Sequence, residues 1–440
     1  MNKLFQISIV TLILISNYLA GQQKLSLNDA VKITLENNLD IKIVENQDEI
    51  FKNNASFLNS GYLPTISSNA GINKSEQNIE IETPNNLSGK LDNMKSENSY
   101  SNISLNYILL DNSGRNFNYK KSKELSNRSK LEVKEVIENT LLQLFTVYYE
   151  VCRLSEEREI IKSSLEISKT RLERKNTEFE FGQSTKLEVL NAEVDVNTDS
   201  IKLLSSIKNL SNAKRDLNLI MNVDLNSNYD LDKNIFYNSK DKISEFYNNA
   251  AENNTRLQIY DKSVDISNYE LKSIKSTYLP TIGLVGSYDW NESINDNPYA
   301  FFNKNIYDGI SGGINLSWNI FNSGKRITAN KNAKINLENS KIEKEKVFLI
   351  FQKELNNAYE TYINNLFILE VQEKSLLTSE NNFLRNLEKY NIGIVSSIEF
   401  RRAQINLLNA KLSRNTAMYE GKVSELYFLK VAGAIIGSSF

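Results

Sequence analysis

The chain repeats itself once, and this duplication constrains its fold more than any other feature. Tyr62-Leu63-Pro64-Thr65-Ile66 returns as Tyr278-Leu279-Pro280-Thr281-Ile282, an offset of 216 residues. Upstream, Glu36-Asn37-Asn38 returns as Glu252-Asn253-Asn254 at the same offset. Downstream, Ile103-Ser104-Leu105-Asn106-Tyr107 matches Ile314-Asn315-Leu316-Ser317-Trp318, and Asn112-Ser113-Gly114-Arg115 matches Asn322-Ser323-Gly324-Lys325. Later, Phe179-x-x-Gly182 matches Tyr390-x-x-Gly393, and Leu187-Glu188-Val189 matches Ile398-Glu399-Phe400, now at an offset of 211. The order of matches never changes, so one structural unit is used twice. We place the repeats at 22–236 and 237–440.

Each repeat has the same anatomy. Ser26-Leu27-Asn28-Asp29-Ala30 offers a polar cap, and an amphipathic helix is expected from there to about Asn59. The Leu-Pro pair ends it, because proline disfavours helix at the residue before it. A strand follows: Ile282, Leu284, Tyr288 and Trp290 alternate with small or polar residues. After a polar loop a second strand alternates, through Ile103, Leu105, Tyr107 and Leu109 in one copy and Ile314, Leu316, Trp318 and Ile320 in the other. Period two predicts a sheet with one apolar face.

A long helix follows each Ser-Gly turn. Its apolar residues recur by sevens: Ile137, Leu144, Val151, Leu165, Leu172 and Phe179 in the first copy, with Arg158 the exception. In the second copy they are Phe348, Leu355, Tyr362, Leu369, Leu376, Phe383 and Tyr390. A sustained sevenfold repeat predicts left-handed supercoiled packing. At the usual helical rise a segment from Lys325 to Tyr390 is about 100 Å long. The glycine turns at Gly182 and Gly393 then fold the chain back into an antiparallel hairpin. Low breaker content fits long elements: 440 residues carry 16 glycines and 4 prolines.

Absences narrow the function. There is no histidine, which excludes imidazole-based catalysis and imidazole metal sites. The single cysteine, Cys152, forms no intrachain disulfide and reads as a packed helical position. Gly324-Lys325 is the only near approach to a phosphate-binding loop, and Asn319 holds the place of its first glycine. The formal net charge of −2 without a basic face argues against nucleic acid. No cofactor is expected.

Residues 1–21 read as an export signal, with Lys3, an apolar core from Leu4 to Ile15, and small Ala20 and Gly21 before Gln22-Gln23-Lys24. Nothing else approaches about 18 apolar residues in a row. Any membrane segment must therefore be β-strand. Each chain offers four strands, whereas single-chain barrels begin at about eight. An open four-stranded sheet leaves edge groups unpaired in lipid, so several chains would have to share one barrel. Tyr107, Trp318, Tyr288 and Trp290 suit the membrane interfaces. A soluble sheet packed on one face is the competing reading.

These residues carry a resemblance. Leu25-Ser26-Leu27-x-x-Ala30, Glu36-Asn37-Asn38, Tyr62-Leu63-Pro64, a strand ending in Asn-Ser-Gly, and Phe/Tyr-x-x-Gly followed by Leu/Ile-Glu-Val/Phe, in order and in duplicate, resemble the TolC family of outer-membrane efflux proteins. The resemblance spans essentially the whole mature chain. It implies an α+β membrane protein: a long α-helical coiled-coil barrel plus a transmembrane β-barrel shared by a homotrimer, four strands per chain. It implies an outer-membrane exit duct in contact with outer-membrane lipid, its helices in the periplasm. A periplasmic adaptor (membrane fusion protein) and an inner-membrane RND or ABC transporter would be its partners. Substrates would be small toxic molecules, metal ions or secreted polypeptides. The duct would be no enzyme.

The resemblance also points to gate residues. Tyr390 matches the family's gate tyrosine and Glu399 its first acidic position, with Glu188 the first-repeat equivalent of Glu399. The second acidic position falls on Arg402, a departure that puts the paired acidic ring in doubt. Glu188, Glu399 and Arg402 also read as an ordinary solvated helix face. The turns Gly182-Gln183-Ser184 and Gly393-Ile394-Val395 read as adaptor-contact tips, although glycine is needed for the reversal in either case. Phe440 reads as an outer-membrane insertion signal. Two alternatives stand beside this reading: a periplasmic coiled-coil adaptor, expected to show one central hairpin, and an exported structural coiled coil, which needs no aromatic-rowed strands.

Overall fold

The computed structural model describes residues 24–82, 88–296, 298 and 301–437; the expected signal at 1–21 and Phe440 lie outside them. The chain runs β1 (Lys24–Leu25), α1 (Leu27–Asn37), α2 (Leu39–Asn54), a 3-10 turn (Phe57–Asn59), β2 (Thr65–Glu82), β3 (Ser88–Leu110), α3 (Gly114–Glu180) and α4 (Lys186–Met221). It continues through β4 (Asp230–Leu231), α5 (Lys240–Asn253), α6 (Thr255–Ser276), β5 (Thr281–Asn295), β6 (Lys304–Ser317), α7 (Lys325–Asn391) and α8 (Ser397–Val431). Thus α1–α2–β2–β3–α3–α4 returns as α5–α6–β5–β6–α7–α8. Two compact units cut across this duplication, each drawing on both repeats. One takes the chain up to Gln47, Lys130–Ile259 and Glu345 onward; the other takes Asp48–Ser129 and Tyr260–Lys344.

The first unit is helical apart from the short parallel pair β1–β4. Helices α3 and α7 are 67 residues each. The sevenfold positions Leu144, Val151, Leu165, Leu355, Tyr362, Phe383 and Tyr390 are buried, whereas the end positions Phe179 and Phe348 stay exposed. Each fully buried side chain of this kind contributes about 1.5–3 kcal/mol. Cys152 packs among them with its thiol directed at the Asp232 carbonyl (3.7 Å), and burial pushes that thiol up to about 12. A second sevenfold stripe on α7, through Leu349, Ile363, Leu377 and Leu384, is exposed, as are Leu187, Val194 and Ile201 on α4.

The helix expected to run unbroken to Asn59 is interrupted at Asn38, and its copy at Asn254, both with extended ψ (132° and 113°). The cause is the asparagine itself. Asn38 Oδ1 accepts from the N–H groups of Asp40 and Ile41 (3.0 and 3.2 Å), capping α2, and its Nδ2 donates to the Ile220 carbonyl near the end of α4 (3.0 Å). Asn254 repeats this: Oδ1 accepts from Leu257 N–H (3.0 Å) and Nδ2 donates to the Val431 carbonyl ending α8 (2.8 Å). One amide starts one helix and satisfies an orphan carbonyl at the end of another. The recurrent Glu-Asn-Asn is thereby explained as a structural joint.

The second unit is organised by an antiparallel sheet in the order β2–β3–β5–β6. Its register sets whole rows of like residues side by side. Ser67, Ser104, Ser287 and Ser311 form one row, with hydroxyl pairs at 2.8 Å. Neighbouring rows on that face are Asn69–Asn102–Asp289–Gly309, Gly71–Tyr100–Asn291–Tyr307 and Asn73–Asn98–Ser293–Asn305. The opposite face is apolar: Ile66–Leu105, Ile103–Tyr288–Ile310 and Tyr107–Leu284–Ile314 are successive rows, with Trp290 beyond. Its charges gather toward the β2–β3 hairpin, where Lys74 pairs with Glu97 (2.8 Å) and Lys304 with Glu292. The shortest strand, β6, has 14 residues, about 48 Å at 3.4 Å each. That crosses an apolar band of about 25 Å even at a tilt of 35–45°. Among the described residues no helix is long and apolar enough to cross a membrane.

The expected alternation stops short in the second copy: β6 ends at Ser317, and Trp318 instead donates its indole N–H to the Tyr278 carbonyl (3.2 Å). The chain turns into α3 and α7 through left-handed residues at Asn112 and Ser113, and at Ser323 and Gly324. These are 211 apart, so the Asn-Ser-Gly match of the sequence is one residue out of structural register. The true partners are Arg115 and Arg326. Arg115 stacks over the Tyr62 ring (4.9 Å) and donates to the Gly61 carbonyl (3.2 Å). Arg326 stacks over Tyr278 (4.6 Å) and donates to the Thr277 carbonyl (2.7 Å). The Tyr-Leu-Pro motif is the platform for these cations.

Candidate functional site

The ends of the two helical hairpins, both within the helical unit, hold every gate and tip residue singled out from the sequence. Gly182 and Gly393 reverse the chain with φ of 70° and 77°. Each turn carries the same bonds. Gln183 N–H donates to the Glu178 carbonyl (2.7 Å) and Gly182 N–H to Phe179 (3.0 Å). Ile394 N–H donates to Lys389 (2.8 Å) and Gly393 N–H to Tyr390 (3.1 Å). This Schellman pattern satisfies the last helical carbonyls and requires a left-handed residue, which glycine adopts without penalty. Phe181, Leu187, Ile392, Ile394 and Ile398 stand exposed around the two turns, an unusual density of apolar side chains for a loop region.

The acidic candidates are engaged locally. Glu188 follows the N-cap Thr185 of α4. Its carboxylate accepts from Ser184 Oγ (2.5 Å) and lies 3.5 Å from Lys175 Nζ; that hydroxyl bond, then the lysine charge, holds it below the usual carboxylate range. Glu399 forms a capping box at the start of α8. Its carboxylate accepts from Ser396 N–H (2.9 Å) and Ser396 Oγ (3.1 Å), while Ser396 Oγ accepts from Glu399 N–H. The Ser396 backbone bond keeps its pKa low. Glu399 is exposed, and so is Arg402 one turn further. Val395, beside Gly393, packs partly against the core described next.

Tyr390 is buried and clamped. Its ring stacks on Phe400 (centroids 4.6 Å apart, planes 5°), in a core of Phe383, Ala403 and Leu407. The Arg174 guanidinium of the first hairpin covers the ring at 4.6 Å. The Tyr390 hydroxyl is buried without a hydrogen-bond partner among the described residues. Burying it unpaired costs on the order of 1–3 kcal/mol, which the stack and the cation must offset.

Sequence reasoning missed the strongest tie. Arg401, adjacent to the exposed Arg402, turns inward. It donates to both oxygens of Asp199 on α4 (Nη1 2.7 Å, Nη2 2.9 Å) and to Ser168 Oγ on α3 (2.9 Å). Ser168 in turn donates to Asp199 (2.7 Å). Gln404, one turn on, donates to the Ser164 carbonyl (2.8 Å) and to Ser168 (2.9 Å). Arg171 and Asp195 pair beside them, and Arg171 Nη1 reaches the Ser397 carbonyl (3.5 Å). Burial works to raise Asp199, but the bonds from Arg401 and Ser168 outweigh it and hold the carboxyl below its usual range. The signal available in the sequence was the apolar frame Phe400, Ala403, Leu407, Leu408: it puts Arg401 and Gln404 on the buried side of α8 and Arg402 outside.

This arrangement has two separate faces: a buried lock joining the second hairpin to both helices of the first, and exposed apolar tips. Neither can do bond chemistry; both can hold, release or dock. A family model described as outer membrane efflux protein matches residues 30–223 and 246–433. No curated protein matches the chain. Among solved structures, the CmeC outer membrane channel of Campylobacter jejuni superposes with a TM-score of 0.77 at 17% identity, covering 93% of this chain and 86% of that one. VceC of Vibrio cholerae gives 0.76 at 11% identity, covering 92% and 96%. MtrE of Neisseria gonorrhoeae, in its open state, gives 0.71 at 15% identity, covering 93% and 89%. At such identities the superpositions establish the shared fold.

Proposed function

Because this chain belongs to the outer membrane efflux protein family, we propose that three copies share one barrel and form a passive exit duct, gated at the hairpin ends. As a member it is an efflux channel of the outer membrane with a helical periplasmic part, and not an enzyme. Channels of this fold are trimeric and work in tripartite pumps. For this chain, one observation carries the assembly: apolar surface that a single copy leaves bare. The sheet has an apolar face and two unpaired edge strands, β2 and β6, which lipid does not tolerate unless other copies close the barrel. The exposed stripes on α4 and α7 ask for additional helices in the same way.

The partners we propose are a periplasmic adaptor, docking on the apolar tips about Gly182-Gln183-Ser184 and Gly393-Ile394-Val395, and an inner-membrane RND or ABC transporter. The closed state is held by the Tyr390 clamp and the Arg401–Asp199 lock. Glu399, with Arg402 beside it and Glu188 in the first hairpin, lines the mouth. The test is membrane fractionation followed by the mass of the detergent-extracted protein. A trimer from the outer membrane is expected; a soluble periplasmic monomer would overturn the assembly.

A further inference from the structure

We infer that Asp289 sets the ion preference of the barrel's interior, making it favour cations. The inference rests on the shared-barrel reading above. If the apolar face meets lipid, the serine–asparagine face lines the passage. That face carries hydroxyls, amides and glycines row after row, and Asp289 is the one charged residue in its five full rows from Thr65 to Asn73. On the opposite face Lys74 pairs with Glu97 at 2.8 Å and Lys304 with Glu292, and Asp308 accepts from the Tyr288 hydroxyl. No cation stands in those five rows to compensate Asp289.

Its surroundings hold it in place and leave it open. Asn102, next in the row, donates to it, and Ser287 Oγ donates from the row below (2.5 Å). Both bonds hold the carboxylate in a fixed position. On the other side the row partner is Gly309, above which there is open space. In the next row Tyr100 lies flat across Gly71: a Cβ at Gly71 would sit 2.7 Å from its hydroxyl. The ring thus lines the wall and does not plug the passage. Discrimination here is by charge, and three copies would place three such carboxylates at one height, a ring that attracts cations and repels anions.

The experiment is the reversal potential of the full-length trimer in planar bilayers under a KCl gradient. Asp289→Asn keeps the shape and the Ser287 contact. By Coulomb's law with salt screening it should lower the potassium-to-chloride permeability ratio roughly three-fold. Asn69→Lys adds a cation in the same row and should move the ratio the same way and further. The shift should persist in a Glu399→Gln background, because the two positions lie on different parts of the chain. A trimer whose ratio is unchanged in both variants overturns the assignment of Asp289 alone. A soluble monomer overturns the shared-barrel reading, and this inference with it.

Discussion

Replacing Arg401 by methionine tests whether the buried network locks the hairpins. The substitution keeps an unbranched apolar stem and removes the guanidinium, leaving the carboxylate of Asp199, about 1% exposed, without its main partner. Its remaining partners are the Ser168 hydroxyl at 2.7 Å and the half-exposed Lys202 at 3.9 Å. Breaking one side of a buried pair costs about 3–5 kcal/mol. The two residual partners recover part of that, so we expect about 3 kcal/mol, or roughly a hundred-fold rise in local opening. Hydrogen exchange of the amides flanking Ser168 on α3 and Arg401 on α8 reads this directly. The double variant Arg401→Met with Asp199→Leu removes both charges, and its cost should fall to about 1 kcal/mol. Arg402→Met, at the exposed neighbour, should cost less than about 0.5 kcal/mol. Additive costs in the double variant, or unchanged exchange in Arg401→Met, would refute the lock. In bilayers the single variant should open more often than wild type.

Three further outcomes are expected. Asp199 has a pKa below its unfolded value, so its contribution is present above about pH 4 and lost as pH falls through the lower folded pKa. Exchange protection at the hairpin ends should therefore be flat from pH 8 to 5 and decline only below about pH 4. Glu399→Gln keeps the capping-box acceptor while deleting the charge, so current block by multivalent cations should weaken while helicity by circular dichroism stays unchanged; Glu399→Ala should weaken both. Asn254→Ala removes the cap of α6 and the bond to the Val431 carbonyl and should cost about 2 kcal/mol, measured by urea unfolding.

What could be read beforehand follows physical lines. The duplication, the alternating strands and the sevenfold helices were legible because burial imposes a period on the sequence. The break at Asn38 was not, because its cause is a side-chain amide bonding a carbonyl 182 residues away. The one-residue slip at Asn-Ser-Gly arose because Asn112 and Asn322 look alike while backbone φ, not residue type, fixes equivalence. Tyr390 and the glycine turns were visible as motif positions. Arg401 was hidden beside Arg402: two identical residues in adjacent places differ only by the 100° that separates neighbours on a helix.

That 100° also decides how charge at the hairpin turns differs from charge in the sheet. At the hairpin ends Arg401 is neutralised by Asp199, and Glu399 is matched by Arg402, exposed on the same side of α8 three residues later. At the mouth we propose, each chain would bring one carboxylate and one guanidinium, and three chains would bring no net charge from this pair. A second acidic residue in place of Arg402 would have made a strong cation filter there. With the arginine, the Glu399 carboxylate would keep its cation contacts at the proposed mouth while Arg402 offsets its charge. In the sheet, by contrast, Asp289 has only neutral donors for company. Neutral donors hold a carboxylate in place without cancelling its charge. On the proposed assembly, arginine at position 402 therefore moves the expected seat of charge selection from the hairpin turns to the strands.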